Sequence, residues 1–137
     1  MGAIHKFKGE LGISYDWEGQ RLHAYANEGG LQGVTVRWLI GRPEEAPHFA
    51  IRYFEIAPGG HSRAEQHPHD HGVIILRGKA SVRLGDEEHE VGPMDVVYVS
   101  PNEWHQFTNI GDEVLGFICV IPARLMREGR EVWAEGG

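Results

Sequence analysis

Two arrangements of apolar residues recur along this 137-residue chain. In residues 48–57 apolar and polar positions alternate, with odd-numbered residues such as Tyr53 on one face and even-numbered residues such as Phe54 on the other. Residues 73–76 and 96–99 are instead continuous apolar runs. Successive side chains of a strand point to opposite faces, and short apolar runs bounded by turns suit fully buried strands. Both arrangements therefore predict β-structure.

About nine strands are predicted, separated by glycine- or proline-containing turns at intervals of about 8–12 residues, which is typical of a β-sandwich or barrel. The predicted strands cover residues 13–17, 34–40, 48–57, 73–76, 80–84, 88–91, 96–99, 104–108 and 114–121. Residues 123–135 mix charges with a few apolar side chains and are predicted to form a short helix or a frayed end. The chain is therefore predicted to be one all-β domain with short flanking segments.

The amino-acid composition argues against several classes of binding partner. Apolar residues make up 41% of the chain and charged residues 24%, which is ordinary for a soluble globular protein. A net charge of −7 argues against nucleic acid, whose phosphates require a basic face. No apolar run is long enough to cross a bilayer, and the first residues lack the apolar core of a signal peptide. The single cysteine, Cys119, fits a reducing compartment, so a cytoplasmic protein that binds neither membrane nor nucleic acid is predicted.

A metal site is predicted from histidines that cluster between two strands. Glu65 and His67 are two residues apart and point to the same side of an extended chain, and His71 enters the following strand. His105 opens a later strand after a turn at residues 101–103 and reaches the same place from across a barrel. Imidazole and carboxylate groups bind mid-row divalent metals, so Glu65, His67, His71 and His105 are the predicted metal ligands.

The assignment of His69 is open. His69 follows His67 by two residues, so in an extended chain it would point to the same side as Glu65 and His67. Pro68 precedes it in a turn, however, and this favours an outward position, at the surface or supporting the ligands. If Glu65 turns away, His67, His71 and His105 remain, with His69 or a water molecule completing the set.

Other residues are assigned lesser roles. His61, at a strand boundary, is predicted to lie at the rim of the site. His5, His23, His48 and His89 stand alone and are predicted to be ordinary surface or core residues, and Cys119 is predicted to be a core residue. Aromatic candidates for the inside of the barrel are Phe49 or Tyr53, Phe54, Tyr98, Phe107 and Phe117.

These motifs resemble the two sequence motifs of the cupin family. The first corresponds to Gly60, Glu65-Gln66-His67, His71 and the apolar run that ends at Gly78. The second corresponds to Met94-Asp95, Pro101, His105 and Asn109. The resemblance covers residues 33–122 and implies a double-stranded β-helix, also called a jelly-roll barrel. Residues 1–32 would then be an arm that packs on the barrel or on a partner subunit, and residues 123–137 a C-terminal tail.

The chain is most similar in pattern to small cupins that bind manganese through four histidines, from which it departs at one ligand. Glu65 stands where that group has its first histidine, so the implied set is three histidines and one carboxylate. The resemblance implies a divalent ion, with Mn or Fe favoured over Zn, Ni or Cu, and a homodimer. It further implies a metal-dependent enzyme, a dioxygenase or isomerase, that acts on a small organic molecule. A non-catalytic binding module and a metal that only stabilises the barrel are the alternatives.

Overall fold

The computed structural model describes residues 1–136. Its strands are β1 (Arg21–Ala24), β2 (Gln32–Ile40), β3 (Phe49–His61), β4 (His71–Arg77), β5 (Ala80–Leu84), β6 (Glu87–Val91), β7 (Val96–Val99), β8 (His105–Asn109), β9 (Leu115–Pro122), β10 (Arg124–Arg127) and β11 (Arg130–Trp133). Within the described residues the only helical element is a 3₁₀ turn at Arg42–Glu44, and no helix there could span a bilayer. The prediction of an all-β jelly-roll barrel is confirmed.

Strands β1 to β9 form one antiparallel sheet that curls around the core, and β10 and β11 form a separate hairpin. The 13-residue strand β3 organises the sheet. Over Phe49 to Ile56 it pairs with β9, whereas its last residue, His61, pairs with Thr108 of β8. Because β3 continues from one group of strands (β9, β4, β7) to the other (β8, β5, β6), it joins the two walls of the barrel.

The alternation in the sequence separates two packing faces of β3. Ala50 and Ile56 belong to the main core inside the barrel, where Ile56, Ile75 and Val82 are fully buried. Burying each such side chain contributes about 1.5–3 kcal/mol. Tyr53, on the opposite face, packs in a second cluster with Tyr15 and Leu39.

The N-terminal segment is held by aromatic packing and not by the predicted strand at residues 13–17. That stretch forms only isolated bridges, such as Phe7 with Trp17, and the strand of this region is β1, which pairs with β2. Tyr15 stacks on Tyr53 with ring centroids 5.4 Å apart. The aromatic residues that suggested a strand therefore serve to cover the outer face of β3.

The C-terminal segment also differs from its prediction, because β10 and β11 form a hairpin instead of a helix or a frayed end. Glu128 and Gly129 connect the strands with φ angles of 51° and 76°. Positive φ at both central residues is the geometry of a tight hairpin turn. Behind the hairpin, Glu135 accepts hydrogen bonds from Nε and Nη2 of Arg21 at 2.9 and 2.7 Å. The hairpin is thereby joined to β1.

Candidate metal centre

Backbone pairing brings the two predicted motifs together. Glu65 and His105 form an isolated antiparallel bridge, in which the Glu65 N–H donates to the His105 carbonyl at 3.1 Å and the reverse bond is 3.0 Å long. The Asn102 N–H also donates to the His67 carbonyl at 2.7 Å. These bonds attach the loop between β3 and β4 to the turn before β8, although the loop and the turn lie far apart in the sequence.

The side chains of the predicted ligands converge in two overlapping groups. Potential ligand atoms of Glu65, His67 and His105 lie within 4.8 Å of one another, and so do those of His67, His69 and His71. His67 belongs to both groups, and its Nε2 is 2.9 Å from Nε2 of His71. The structure thus brings the four predicted residues together around His67.

His69 is also part of this cluster, contrary to the favoured outward position. Its ring stacks on that of His67 with centroids 4.3 Å apart and planes 11° apart. The chain bends at Pro68 and His69 without reversing the side on which His69 lies. Asp70 is the residue that contacts the outside, where it accepts a hydrogen bond from the exposed Tyr98 hydroxyl at 2.8 Å.

Burial favours the uncharged form of three of the clustered imidazoles, those of His67, His69 and His71. It lowers the pKa of His69 to about 4 and, with the nearby Arg52 charge adding to it, the pKa of His71 to about 2. The pKa of His67 is also lowered by burial, against the opposing effect of the Glu65 charge. Neutral imidazoles retain the nitrogen lone pair that a metal requires, so the electrostatics of the cluster suit metal binding.

The remaining ring nitrogens have partners that fix the orientation of two rings. Nδ1 of His105 lies 2.9 Å from the Glu103 carbonyl, which can only accept, so this nitrogen carries the proton. Nδ1 of His71 lies 3.4 Å from Sγ of Cys119. Both arrangements leave Nε2 facing the cluster, as in histidine ligands of known metal sites, and Nε2 of His71 is within hydrogen-bond distance of Nε2 of His67. The 2.9 Å between the Nε2 atoms of His67 and His71 also matches the spacing of about 3 Å for two nitrogens bound at right angles to one ion. The residues present therefore fit a divalent metal.

The cluster opens into a cavity of about 530 Å³ inside the barrel. Phe54, Phe107 and Phe117 line it as predicted, and the rings of Phe107 and Phe117 stack at 4.8 Å. The other three aromatic candidates lie elsewhere: Phe49 and Tyr98 are exposed, and Tyr53 packs in the outer cluster. Strand parity could not reveal which face of each strand turns inward.

Two residues of the cavity wall, Cys119 and Arg52, were not predicted to belong to the site. Cys119 is buried, as predicted, but it also lines the cavity and contacts His71. Arg52 lines the cavity from the inward face of β3. The available signal was the alternation itself, which places Arg52 on the same face as Phe54 and Ile56, an unusual position for an arginine.

The remaining histidines stand outside both groups of potential ligands. His61 is not among the cavity-lining residues, and its Nδ1 lies 3.1 Å from the Ser62 carbonyl and 3.4 Å from Nε2 of Gln106. His5 and His89 each lie within 4 Å of a glutamate, and His23 packs against Tyr25.

Comparisons with known proteins agree with this architecture. The model of the Cupin_2 family, described as a cupin domain, matches residues 52–121. The chain is 39% identical to a 1-methylthio-D-xylulose 5-phosphate methylsulfurylase of Rhodospirillum rubrum over 80% of its own length and 70% of the relative. The crystal structure of a cupin-2 domain protein from Rhodospirillum rubrum has a TM-score of 0.77 at 37% identity, covering 88% of this chain and 80% of that one. A cupin 2 conserved barrel domain protein from Rhodopseudomonas palustris has a TM-score of 0.75 at 33% identity, covering 91% and 83%.

Proposed function

Because this chain belongs to the Cupin_2 family of cupin domains, we propose that it is a metal-dependent enzyme acting on a small organic molecule. One observation carries the proposal: a carboxylate and several neutral imidazoles converge on the wall of a cavity large enough for such a molecule. Buried ligand-type side chains that face a cavity are the usual arrangement of a catalytic metal site.

The proposed ligands are Glu65, His67, His71 and His105, with His69 stacked beside them. A hard carboxylate oxygen combined with imidazole nitrogens suits Mn or Fe, and is also compatible with Zn, Ni or Cu. Cys119 and the Glu103 carbonyl hold the outer nitrogens of His71 and His105, so that both rings keep their orientation when an ion binds.

A divalent ion held there would polarise a carbonyl or hydroxyl oxygen of the substrate. The protein's own groups supply the rest of the proposed chemistry. Phe54, Phe107 and Phe117 exclude water from one side of the cavity. Burial lowers the pKa of His69 to about 4, so this imidazole is uncharged, and as the residue stacked on His67 outside the four proposed ligands it offers a hydrogen-bond partner to a bound substrate.

The proposed substrate class is a small phosphorylated keto sugar derivative. The support is the relative named for its action on 1-methylthio-D-xylulose 5-phosphate, with which this chain shares 39% identity. The dioxygenase-type oxidation implied by the sequence resemblance would use the same ligands and stays a prediction. Release of the methylthio group and oxygen uptake are separate assays, so the two activities can be distinguished.

The test begins with elemental analysis of protein purified without a metal-chelating tag. Wild type and His89→Ala, an exposed histidine outside the cluster, are expected to hold about one divalent ion per chain. His67→Ala is expected to lose it, since His67 belongs to both groups of potential ligands. Turnover of a methylthio keto-pentose phosphate, or oxygen uptake with enols and diketones, should follow metal content. Retention of full metal content and activity by His67→Ala would contradict the proposal.

A second candidate is a non-catalytic binding module, favoured by the number of donors in the cluster. Glu65, His67, His69, His71 and His105 together could fill most positions around an ion. A manganese-loaded protein with no exchangeable water in nuclear relaxation measurements would support this candidate. If the metal only stabilises the barrel, chelation should lower the melting temperature without changing ligand affinity.

We further propose a homodimer formed through the outer face of the sheet around β7. Ile74 and Val96 are exposed cross-strand neighbours, and Tyr98 and Val120 are exposed on either side of Gly72. A contiguous exposed apolar patch is typical of a protein interface. Light scattering should give a molar mass twice that of one chain, and Val96→Asp should reduce this value to the mass of a single chain.

The proposed location is the cytoplasm. The sole thiol of the chain, Cys119, is buried and unpaired, which suits a reducing compartment. Cell fractionation with an antibody against the full chain tests the location directly.

A further inference from the structure

Arg52 is a positive charge inside the barrel. It lies on the inward face of β3 between Ala50 and Phe54 and lines the same cavity as the histidine cluster. Its guanidinium lies over two aromatic rings, 4.7 Å from the centroid of Phe54 and 5.4 Å from that of Trp38. The aromatic faces hold the group in place and leave its edge free for hydrogen bonding.

Arg52 lacks the anionic partner that three other arginines of the sheet possess. Arg21 pairs with Glu135, Arg37 with Glu55 and Arg77 with Glu113. Among residues 1–136, Arg52 has no carboxylate within 4.0 Å, and its buried Nε has no hydrogen-bond partner. Its one polar contact is from Nη2 to Sγ of Cys119 at 3.2 Å. A charge removed from water without a partner is costly, so the site favours an anion supplied from outside the chain.

The geometry also connects this charge with the candidate metal centre. Arg52 and Cys119 are cross-strand partners on β3 and β9. Sγ of Cys119 lies 3.2 Å from Nη2 of Arg52 and 3.4 Å from Nδ1 of His71. A single side chain therefore separates the guanidinium from the cluster. A molecule only a few carbons long could reach both.

We propose that Arg52 binds the phosphate group of the substrate and thereby orients the rest of the molecule towards the histidine cluster. Arg127 of β10, which lines the same cavity and has no ion pair among the described residues, is the second phosphate contact, at the mouth. The planar guanidinium presents two parallel donors to a phosphate, which an ammonium group cannot do. This assignment rests on the proposed function, since it names the substrate class of that same site.

The binding test uses three five-carbon probes: D-xylulose 5-phosphate, D-xylulose, which lacks the phosphate, and D-xylonate, which carries a carboxylate at C1 in place of the phosphate charge. Calorimetric titration of the wild-type protein should show at least about tenfold tighter binding of the phosphate than of the neutral sugar, as a charge-assisted bidentate contact provides. Equal affinity for the phosphate and the neutral sugar would overturn the assignment. A preference for xylonate over the phosphate would also overturn it, in favour of a carboxylate.

Substitutions of the two arginines test which side chains contact the phosphate. Arg52→Gln and Arg52→Lys should each lose most of the phosphate preference, because the lysine keeps the charge but not the paired donors. Arg83→Gln changes the charge equally on β5, outside the cavity, and should bind like the wild type. If both Arg52 variants fail to fold, Arg127→Gln, at an exposed position, should still weaken phosphate binding several-fold. Folded Arg52 variants, or Arg127→Gln, with wild-type phosphate affinity would refute the corresponding contact.

The same titrations separate this inference from the proposed function. Elemental analysis of each variant should show unchanged metal content, since Arg52 contributes no ligand atom. Phosphate preference in a protein that holds no metal would leave the Arg52 assignment standing while the proposed enzyme chemistry fails. A metal-loaded protein without phosphate preference would give the opposite result.

Discussion

Sγ of Cys119 lies 3.4 Å from Nδ1 of His71, while Nε2 of the same ring lies 2.9 Å from Nε2 of His67. The thiol thus contacts the outer nitrogen of the ring whose other nitrogen faces the cluster. Cys119 is only 3% exposed, so this contact is shielded from water. A sulfur atom therefore helps to set the orientation of a proposed ligand, which a core role alone would not require.

Replacing Cys119 with alanine should weaken metal binding. Loss of an outer partner of a ligand histidine typically costs 10–100-fold in metal affinity, and we expect about tenfold here because a thiol is a weak partner. Competition with a chromogenic chelator measures the change. Cys119→Ser, which keeps a hydrogen-bonding atom, should lose less. Equal affinity of Cys119→Ala and wild type would show that the contact has no orienting effect.

The metal-free protein should lose stability in mild acid because of His71. Burial lowers the pKa of His71 to about 2, whereas in the unfolded chain it titrates near 6.5. Below pH 6.5 the unfolded state therefore binds a proton that the folded state does not. The free energy of unfolding should then fall by up to about 2 kcal/mol between pH 7 and pH 5 from this group alone. Urea denaturation at the two pH values measures this decrease in the free energy of unfolding, and the decrease should be smaller in His71→Gln. An identical decrease in both proteins would contradict the assignment to His71.

Removing the charge of Glu135 should loosen the C-terminal hairpin. Glu135 is 7% exposed and accepts two hydrogen bonds from Arg21 and one, at 3.1 Å, from the Arg42 N–H. Glu135→Gln should lower the free energy of unfolding by about 1–3 kcal/mol, because it leaves the half-buried guanidinium without its counter-charge. Hydrogen exchange should quicken in β10 and β11. Glu131→Gln, an exposed position of β11, is the matched control and should have little effect.

Gly116 is required by a close approach between β9 and Tyr53. A Cβ atom at this position would lie 2.1 Å from the Tyr53 hydroxyl and 2.9 Å from Cγ of Arg77. Gly116→Ala should therefore destabilise the fold by about 1–3 kcal/mol through overpacking. Gly92→Ala, where nothing lies within 4 Å of the new atom, should be close to neutral. Thermal denaturation of both variants provides the comparison, and equal melting temperatures would show that Tyr53 moves aside without cost.

Much of the fold was accessible from local pattern. Alternation along residues 48–57 and the apolar runs at 73–76 and 96–99 predicted strands that the structure contains. These patterns are reliable because the two-residue period of a strand is a property of the backbone itself. The spacing of Glu65, His67 and His71 likewise indicated residues that the structure brings together.

The wrong predictions concern segments whose local sequence pattern is compatible with more than one structure. Residues 13–17 are aromatic because they cover Tyr53, and aromatic residues are equally common in strands. The hairpin of β10 and β11 is stabilised by strand pairing and by the hydrogen bonds between Glu135 and Arg21, and a partner so far away in the sequence leaves no trace in local periodicity. Pro68 suggested an outward turn for His69, but the stacking of His69 on His67 decided its direction.

The sequence by itself determined the strand periodicity, the two motifs and the identity of the donor residues, since these depend on neighbours along the chain. Only the tertiary structure decided which residues surround the cavity. The register between β3 and β9 places Arg52 opposite Cys119, and the path of β4 places His71 beside that thiol. Such contacts arise from pairing between distant strands, where a shift of one residue would turn each side chain to the other face.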